Sequence, residues 1–219
     1  MNTRTPFADK ITNEATASLP AIEFTGRIRV IDDEHAIEAA CEELRRSPVI
    51  GFDTETRPSF RAGVTYRVAL LQLATPEVAY LFRLNRIPLA KPIIDLLADK
   101  NILKVGAAVE GDLRSLWRLR HFREGGFVDL QNFASRWGIE EKSLRKLSAI
   151  VLGQRVSKAQ RLSNWEAQSL TDKQALYAAT DAWVCVRIYE RLLATPFLNG
   201  GMGSVGRKTV EHKINLQSR

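Results

Sequence analysis

The chain has few of the residues that build thiolate or imidazole metal sites. Its 219 residues include two cysteines, Cys41 and Cys185, and three scattered histidines, His35, His121 and His212. Each cysteine lies inside an apolar helical pattern, where a cysteine packs as a small hydrophobe more often than it forms a disulfide. We therefore expect neither a disulfide nor a metal site that depends on thiolates.

Long apolar runs are also missing. No stretch of about 18 apolar residues is present, so the sequence predicts no transmembrane helix and no attachment to a membrane through one. Residues 1–20 include Asp9 and Glu14 and lack the apolar centre of a secretory signal, so we expect a cytoplasmic protein. The length favours one sizeable α/β domain over two.

Negative charge is in deficit, because the formal net charge is +7 and the pI is about 9.6. An excess of Lys and Arg is typical of proteins that bind a polyanion such as DNA or RNA. A basic surface can equally be one that is only solvated. Composition alone leaves both interpretations open.

Periodicity divides the chain into three parts. Residues 1–24 show no period and are expected to form a flexible N-terminal arm, whereas residues 25–198 form the predicted domain and the Gly-rich residues 199–219 a flexible tail. Within the domain, strand patterns occupy 28–31, 49–55, 66–73, 78–82, 102–105 and 127–130. Helical patterns follow several of these strands, and a capping box at Thr171 opens the longest helix. The order predicts an α/β fold with a mixed sheet flanked by helices.

The segment Val49–Thr56 carries the main functional signal. It begins with apolar β-formers and contains Asp53 and Glu55, separated by one residue. In a strand this spacing puts both carboxylates on one face, where like charges repel. A bound divalent cation with oxygen ligands is the usual means of cancelling such repulsion. The sequence therefore predicts further carboxylate ligands elsewhere in the chain.

Asp181 and Asp112 are the candidates for those ligands. Asp181 lies on the apolar stripe of the last helix, one turn after Tyr177, although an Asp there can also pair with a buried Arg or Lys, and Tyr177 can be plain core. Asp112 lies at a strand-to-helix junction, where it can also be only a helix N-cap. Four acidic ligands without His or Cys favour Mg²⁺ or Mn²⁺, and a two-metal carboxylate site suits phosphodiester hydrolysis.

These residues together resemble the DEDDy family of 3′→5′ exonucleases, and most closely the exonuclease domains of ribonuclease D and the Werner syndrome protein. Asp53-Thr54-Glu55 is similar to the first motif of the family, Gly106 to Asp112 to the second, and Tyr177 to Asp181 to the third. The related His-bearing class has a His five residues before the last Asp, where this chain has Leu176. The resemblance covers about residues 45–195 and implies a ribonuclease H-like fold.

The resemblance also implies roles for the five residues. Asp53 would bridge two metal ions, Glu55 and Asp181 would hold the ion that activates water, and Asp112 would support the other. Tyr177 would orient or help to deprotonate the attacking water. The implied reaction is removal of nucleoside 5′-monophosphates from the 3′ end of DNA or RNA.

Four further residues are candidate nucleic-acid contacts. Arg155, Lys158 and Arg161 lie in a basic loop that can follow backbone phosphates or merely be solvated, and Trp165 can stack on a base or pack in the core. Two rival functions are a catalytically silent nucleic-acid-binding module of the same fold and a phosphohydrolase of small nucleotides. The sequence leaves open DNA or RNA, single-stranded or recessed ends, and the oligomeric state.

Overall fold

The computed structural model describes residues 6–61 and 63–196, and these ranges contain a six-stranded mixed sheet. The strands lie in the order β1-β4-β3-β2-β5-β6 across the sheet. Their bounds are β1 (Arg27–Ile31), β2 (Val49–Thr56), β3 (Val68–Ala74), β4 (Val78–Phe82), β5 (Leu103–Gly106) and β6 (Phe127–Asp129). The six strand patterns predicted from the sequence are confirmed, with small shifts at their ends.

Strand β2 is the point where the sheet changes direction. It pairs antiparallel with β3 and parallel with β5. The patterns at 66–73 and 78–82 form a hairpin, because β3 and β4 are antiparallel and Thr75 both donates to and accepts from Val78 in the turn. A register shift in the β2–β3 pairing at Glu55/Thr56 marks a bulge beside the predicted carboxylates, a common position for bulges in enzymes.

Seven helices cover the two faces of the sheet in the described residues. Their bounds are α1 (Asn13–Ser18), α2 (Ile37–Arg45), α3 (Lys91–Ala98), α4 (Val109–Trp117), α5 (Leu130–Ala134), α6 (Leu144–Leu152) and α7 (Asp172–Leu193). Helices α2, α3 and α4 share one hydrophobic cluster with Ile50 and Phe52 of β2, whereas α5, α6 and α7 belong to the cluster on the opposite side. The long helix α7 begins with the predicted capping box of Thr171 and Gln174.

The N-terminal segment differs from the expected flexible arm. Thr12 caps α1, and Ile22 and Phe24 are buried in the cluster that contains α7. Backbone hydrogen bonds also join Ile22 to the carbonyl of Arg155. The expectation of a loosely attached arm is therefore wrong for the part that follows residue 11. Two isolated apolar side chains anchor it, and such a short pattern has no period to recognise.

Other expectations have mixed outcomes. Cys41 and Cys185 are both buried and free, as predicted. Within the described ranges, no helix combines the length and the apolar character that a membrane crossing requires. The predicted Gly-rich tail, residues 199–219, lies outside the described residues, as do residues 1–5.

A single glycine sets the distance between β2 and α7. A Cβ atom on Gly51 would lie 1.8 Å from the carbonyl oxygen of Ala182, which is backbone and has little freedom to move. Residues of a strand alternate between its faces, so Gly51, Asp53 and Glu55 all face α7 while Ile50 and Phe52 face the other layer. The absence of a side chain at Gly51 therefore allows Asp181 of α7 to approach Asp53.

We predict that Gly51→Ala lowers the free energy of unfolding by about 1–3 kcal/mol, because overpacking forces α7 away from β2. The matched control is Gly111→Ala, since Gly111 lies in α4 with open space around it. Alanine is the better helix former and should stabilise there by about 0.5–1 kcal/mol. Urea unfolding followed by circular dichroism measures both. Equal stability of the Gly51 and Gly111 variants would contradict the close-packing argument.

Candidate active site

Three carboxylates from two distant parts of the chain meet between β2 and α7. Asp53, Glu55 and Asp181 each offer a carboxylate oxygen, and these atoms lie within 4.8 Å of one another. Asp53 and Glu55 are partly exposed, whereas Asp181 is buried, with 7% of its surface accessible. This group has the oxygen-only ligands that Mg²⁺ and Mn²⁺ prefer.

Asp112 joins this group through a different contact. Helix α4 begins at Val109, so Asp112 lies within its first turn and is not the N-cap that the sequence left as an alternative. Its carboxylate accepts a hydrogen bond from the Thr54 hydroxyl. Its charge also reaches the cluster, because Asp112 is a cause of the raised pKa of Asp53. The structure thus brings all four predicted carboxylates to one place.

Asp129 is a site residue that the sequence analysis missed. It ends β6, and one of its oxygens accepts from the backbone N–H of Val109 while the other accepts from the N–H of Gln131. Asp129 therefore fixes the start of α4, which carries Asp112, and caps α5 at the same time. The available signal was its position, because an Asp between a strand and a helix is a strong N-cap candidate.

The backbone just before α4 is unusual. Ala108 has φ 62°, in the left-handed region, and is the only non-glycine residue with positive φ among the described residues. Such a conformation costs of order 1–3 kcal/mol for a non-glycine residue and is often found at functional sites. Ala108 borders the cavity that contains the carboxylates. Its conformation turns the chain sharply from β5 into α4 and so contributes to the placement of Asp112.

Burial raises the pKa of all four carboxyl groups, and repulsion from neighbouring site carboxylates adds to the rise at Asp53 and Glu55. Burial, followed by the charges of the neighbouring carboxylates, raises the pKa of Asp53 well above its usual value. The same two causes raise the pKa of Glu55 to about 9. Burial raises the pKa of Asp181 to about 7 and that of Asp112 to about 6. Since a bound cation favours the ionised form, the upward direction of these shifts indicates that the site favours a positive charge.

Tyr177 lies one turn before Asp181 on α7, and its hydroxyl is the hydrogen-bonding neighbour that lowers the pKa of Asp181. Burial is the largest cause that raises the pKa of Tyr177 above its usual value, followed by the charges of Asp181 and Glu55. The phenol is therefore neutral at physiological pH and acts as a hydrogen-bond donor. Its ring packs at 6.0 Å from that of Trp165.

A cavity of about 240 Å³ opens above the carboxylates. Its opposite wall comes from the segment before α6, where Lys142 and Gln131 hold each other through side-chain to backbone hydrogen bonds of 3.0 and 2.9 Å. Cys185 lies at the bottom of the cavity, and burial raises the pKa of its thiol well above its usual value. The thiol is thus protonated and does not compete with the carboxylates as a metal ligand.

The predicted nucleic-acid contacts fall in three different environments. Arg161 and Lys158 are exposed, and Arg161 is near enough to Glu55 for its charge to lower the pKa of that carboxyl. Arg155 is instead half-buried and donates to the carbonyl of Leu19, so it fastens the N-terminal segment. Trp165 is 0% exposed and packs with Tyr177, which contradicts a stacking contact with a base.

Comparison with known sequences identifies the arrangement. The sequence pattern of the 3′-5′ exonuclease family matches residues 28–195, which is most of the chain. The chain belongs to the 3′-5′ exonuclease family. The chain is 35% identical over 185 residues to the bifunctional 3′-5′ exonuclease/ATP-dependent helicase WRN of Mus musculus, covering 80% of its own length and 13% of that protein. It is 34% identical over 182 residues to exonuclease 3′-5′ domain-containing protein 2 of Homo sapiens, covering 78% of its own length and 28% of that protein.

Solved structures agree with the family assignment at the level of the fold. Escherichia coli RNase D superposes with a TM-score of 0.71 at 23% identity, covering 88% of this chain and 51% of RNase D. The Aedes aegypti Nibbler EXO domain also gives 0.71, at 22% identity, covering 78% of this chain and 91% of that domain. The predicted ribonuclease H-like fold is confirmed.

We predict that the metal-free protein loses thermal stability as pH rises from about 5 to about 9, because the folded state binds more protons than the unfolded state over this range. The window follows from the pKa of Glu55, raised from 4.5 to about 9, and that of Asp181, raised from 3.8 to about 7. Asp181→Asn should raise the melting temperature at the upper pH in EDTA by at least about 2–4 °C, the shift that 1 kcal/mol produces in a domain of this size. Asp181→Asn should also give a smaller rise in melting temperature on addition of Mn²⁺ than the unsubstituted protein shows.

Differential scanning fluorimetry across this pH range, with EDTA or Mn²⁺, is the measurement. Glu190→Gln is the control, because Glu190 is exposed on the same helix and away from the cluster. A melting temperature of the metal-free protein that does not fall with rising pH would contradict the repulsion among the carboxylates.

Proposed function

We propose that this chain is a metal-dependent 3′-5′ exonuclease that hydrolyses the phosphodiester bonds of DNA or RNA from the 3′ end and releases nucleoside 5′-monophosphates. The observation that carries the proposal is the convergence of Asp53, Glu55 and Asp181 within 4.8 Å at the junction of β2 and α7. Membership of the exonuclease family supports the reaction type. Because the chain spans only 13% and 28% of the two relatives compared above, its activity and substrates are inferred from its own site.

Two Mg²⁺ or Mn²⁺ ions fit the site better than other cofactors. The residues present are carboxylates, and their raised pKa values show a local excess of negative charge that divalent cations would neutralise. Asp53 is central because its pKa responds to all three other carboxylates, so it is the residue suited to contact both ions. Glu55 and Asp181 would complete one ion's ligands, and Asp112 would serve the other. When bound, such ions supply positive charge to the reacting phosphate and lower the pKa of a bound water.

The residues of the chain then position the substrate. The carboxylates would fix the scissile phosphate through the cations that they hold. The neutral Tyr177 hydroxyl is suited to hold the attacking water by a hydrogen bond. Attack by this water forms one P–O bond and releases a proton to solvent, while the bond to the 3′ oxygen of the preceding nucleotide breaks and that oxygen takes up a proton from solvent to become the new 3′ hydroxyl. The ammonium group of Lys142, across the cavity, would stabilise the negative charge of the released 5′-phosphate.

The proposal includes both DNA and RNA as substrates. The relatives include a DNA polymerase I and a ribonuclease D by name, and a Trypanosoma brucei RNase D of similar fold was solved with the RNA U12. The net charge of +7 and the exposed Lys158 and Arg161 suit either polymer.

The first test is incubation with 5′-labelled single-stranded DNA and RNA in Mg²⁺, Mn²⁺ or EDTA, beside Asp53→Asn. We expect a ladder that shortens from the 3′ end and requires metal. Asp53→Asn should lower the rate by more than the roughly 10–100-fold that loss of an outer-shell metal partner costs. Binding without cleavage would instead favour the silent binding module. Turnover confined to mononucleotide substrates would favour the small-nucleotide phosphohydrolase.

Tyr177→Phe should lower kcat by up to about 100-fold with little change in KM, because loss of the hydroxyl misplaces the attacking water. Tyr80→Phe is the matched control. Tyr80 is buried in the other layer, and its hydroxyl donates to Glu43 at 2.5 Å, so its loss should affect stability and leave kcat unchanged. Single-turnover kinetics with saturating metal separate the two effects. An unaltered kcat in the Tyr177 variant removes that residue from the mechanism.

Lys158→Gln should reduce the slope of log affinity against log salt by about 0.7, the value for one lost phosphate contact on a single strand. Arg29→Gln is the control, because Arg29 is equally exposed but lies on β1 at the far edge of the sheet. Fluorescence anisotropy of a labelled oligonucleotide over a salt series gives both slopes. Identical slopes for the two variants would show that Lys158 does not contact the phosphates and that the basic loop is only solvated.

A further inference from the structure

A second cavity of about 460 Å³ lies beyond the end of β2. We refer to it as the loop pocket. One wall is the segment after β2 and the other is the loop that precedes Trp165. The residues that matter for its chemistry are Arg57, Phe60, Arg61, Tyr66, Leu162 and Asn164. None of them has a role in the catalytic arrangement described above.

The loop pocket exposes apolar surface that the fold does not use. Phe60 is 82% exposed and Leu162 is 59% exposed, more than the other large hydrophobic side chains in the described part of the chain. Scattered apolar side chains on a surface are ordinary, but an aromatic and a leucine that face one cavity form a patch of the kind that binds ligands. An exposed aromatic ring beside cationic groups is the usual platform for an unpaired nucleobase.

Cationic groups adjoin the apolar surface. The guanidinium of Arg57 stacks over the Tyr66 ring at 4.9 Å and forms an ion pair with Glu166 at 3.3 Å. Both contacts hold the side chain in one place, and a guanidinium with five N–H donors retains several for a phosphate. Arg61 is exposed on the same loop. The pocket thus combines a stacking surface with anion-binding groups.

Both walls of the loop pocket follow closely along the chain from residues near the catalytic carboxylates. Arg57 follows Glu55 by two residues, a separation of about 7 Å along an extended chain. On the opposite wall Leu162 follows Arg161, whose charge acts on Glu55. A strand whose last phosphodiester lies at the carboxylates would therefore reach the pocket with the nucleotides upstream of that bond.

We propose that the loop pocket holds an unpaired nucleotide upstream of the scissile bond, with its base against Phe60 and Leu162 and its phosphate at Arg57 and Arg61. This inference rests on the proposed exonuclease function, because that function places the 3′ end of the strand at the carboxylates. Since a paired base cannot turn its face to Phe60, the site selects single-stranded 3′ ends over recessed ends.

The test compares a polymer with a substrate that has no upstream nucleotide. Phe60→Ala should lower kcat/KM on a single-stranded oligonucleotide about tenfold, as loss of one stacked base predicts, and Phe60→Trp should retain it. Hydrolysis of the p-nitrophenyl ester of thymidine 5′-monophosphate should be unchanged in both variants. Leu193→Ala is the control, because Leu193 is also an exposed hydrophobic residue but ends α7.

Binding of the same oligonucleotide to the Asp53→Asn protein, with and without Phe60→Ala, gives a readout that needs no turnover. We expect the Kd to rise about tenfold in the Phe60→Ala protein. If no substrate is cleaved but binding depends on Phe60, the exonuclease proposal fails, and the loop pocket is a site for an unpaired nucleotide without a scissile bond beside it. If the polymer is cleaved and neither kcat/KM nor Kd responds to Phe60, the loop pocket proposal fails alone. Absence of oligonucleotide binding overturns both.

Discussion

Repulsion among crowded, partly desolvated carboxylates is the constraint on which the site depends. Asp53, Glu55 and Asp181 lie within 4.8 Å of one another in a region where burial already disfavours charge. In the absence of a cation these groups retain protons, as the pKa of about 9 at Glu55 indicates. Such an arrangement costs folding free energy, so the surrounding fold must hold the groups in place. Rigid backbone on both sides of the cluster provides that restraint.

Two packing features supply this rigidity. Helix α7 lies directly on β2 because Gly51 has no side chain, and the Thr171 capping box fixes the first turn of the same helix. On the other side, Asp129 holds the first turn of α4 through the N–H of Val109, and Thr54 holds Asp112 itself. The carboxylates therefore sit on regular elements whose backbones cannot move apart independently. A site prepared in this way binds cations with little reorganisation.

Much of this arrangement follows from short-range patterns in the sequence. The alternation in Val49–Thr56 predicts that Asp53 and Glu55 share a face, and the helical stripe around Asp181 predicts that it points inward. The parts that were not predicted depend on tertiary contacts. The anchoring of Ile22, the burial of Trp165 and the contact of Arg155 with Leu19 each join segments distant in sequence. No local period reports such contacts, so the sequence predicted a loose N-terminal arm and left Trp165 open between a base contact and packing in the core.

The charge distribution also links metal binding to the position of the substrate. The chain carries a net charge of +7, which attracts a polyanion from a distance of about one Debye length, roughly 10 Å at moderate salt. The carboxylate cluster has the opposite sign and repels a phosphate at contact distance. Two divalent cations in the cluster reverse this local repulsion, and they also add four positive charges to the formal net charge of +7. Metal should therefore both fix where the 3′ end lies and increase the affinity for the polymer. Because coupling between two ligands is reciprocal, a phosphate seated at the cluster raises cation affinity by the same factor. The basic loop and the proposed loop pocket can thus hold the strand before the catalytic centre accepts its end.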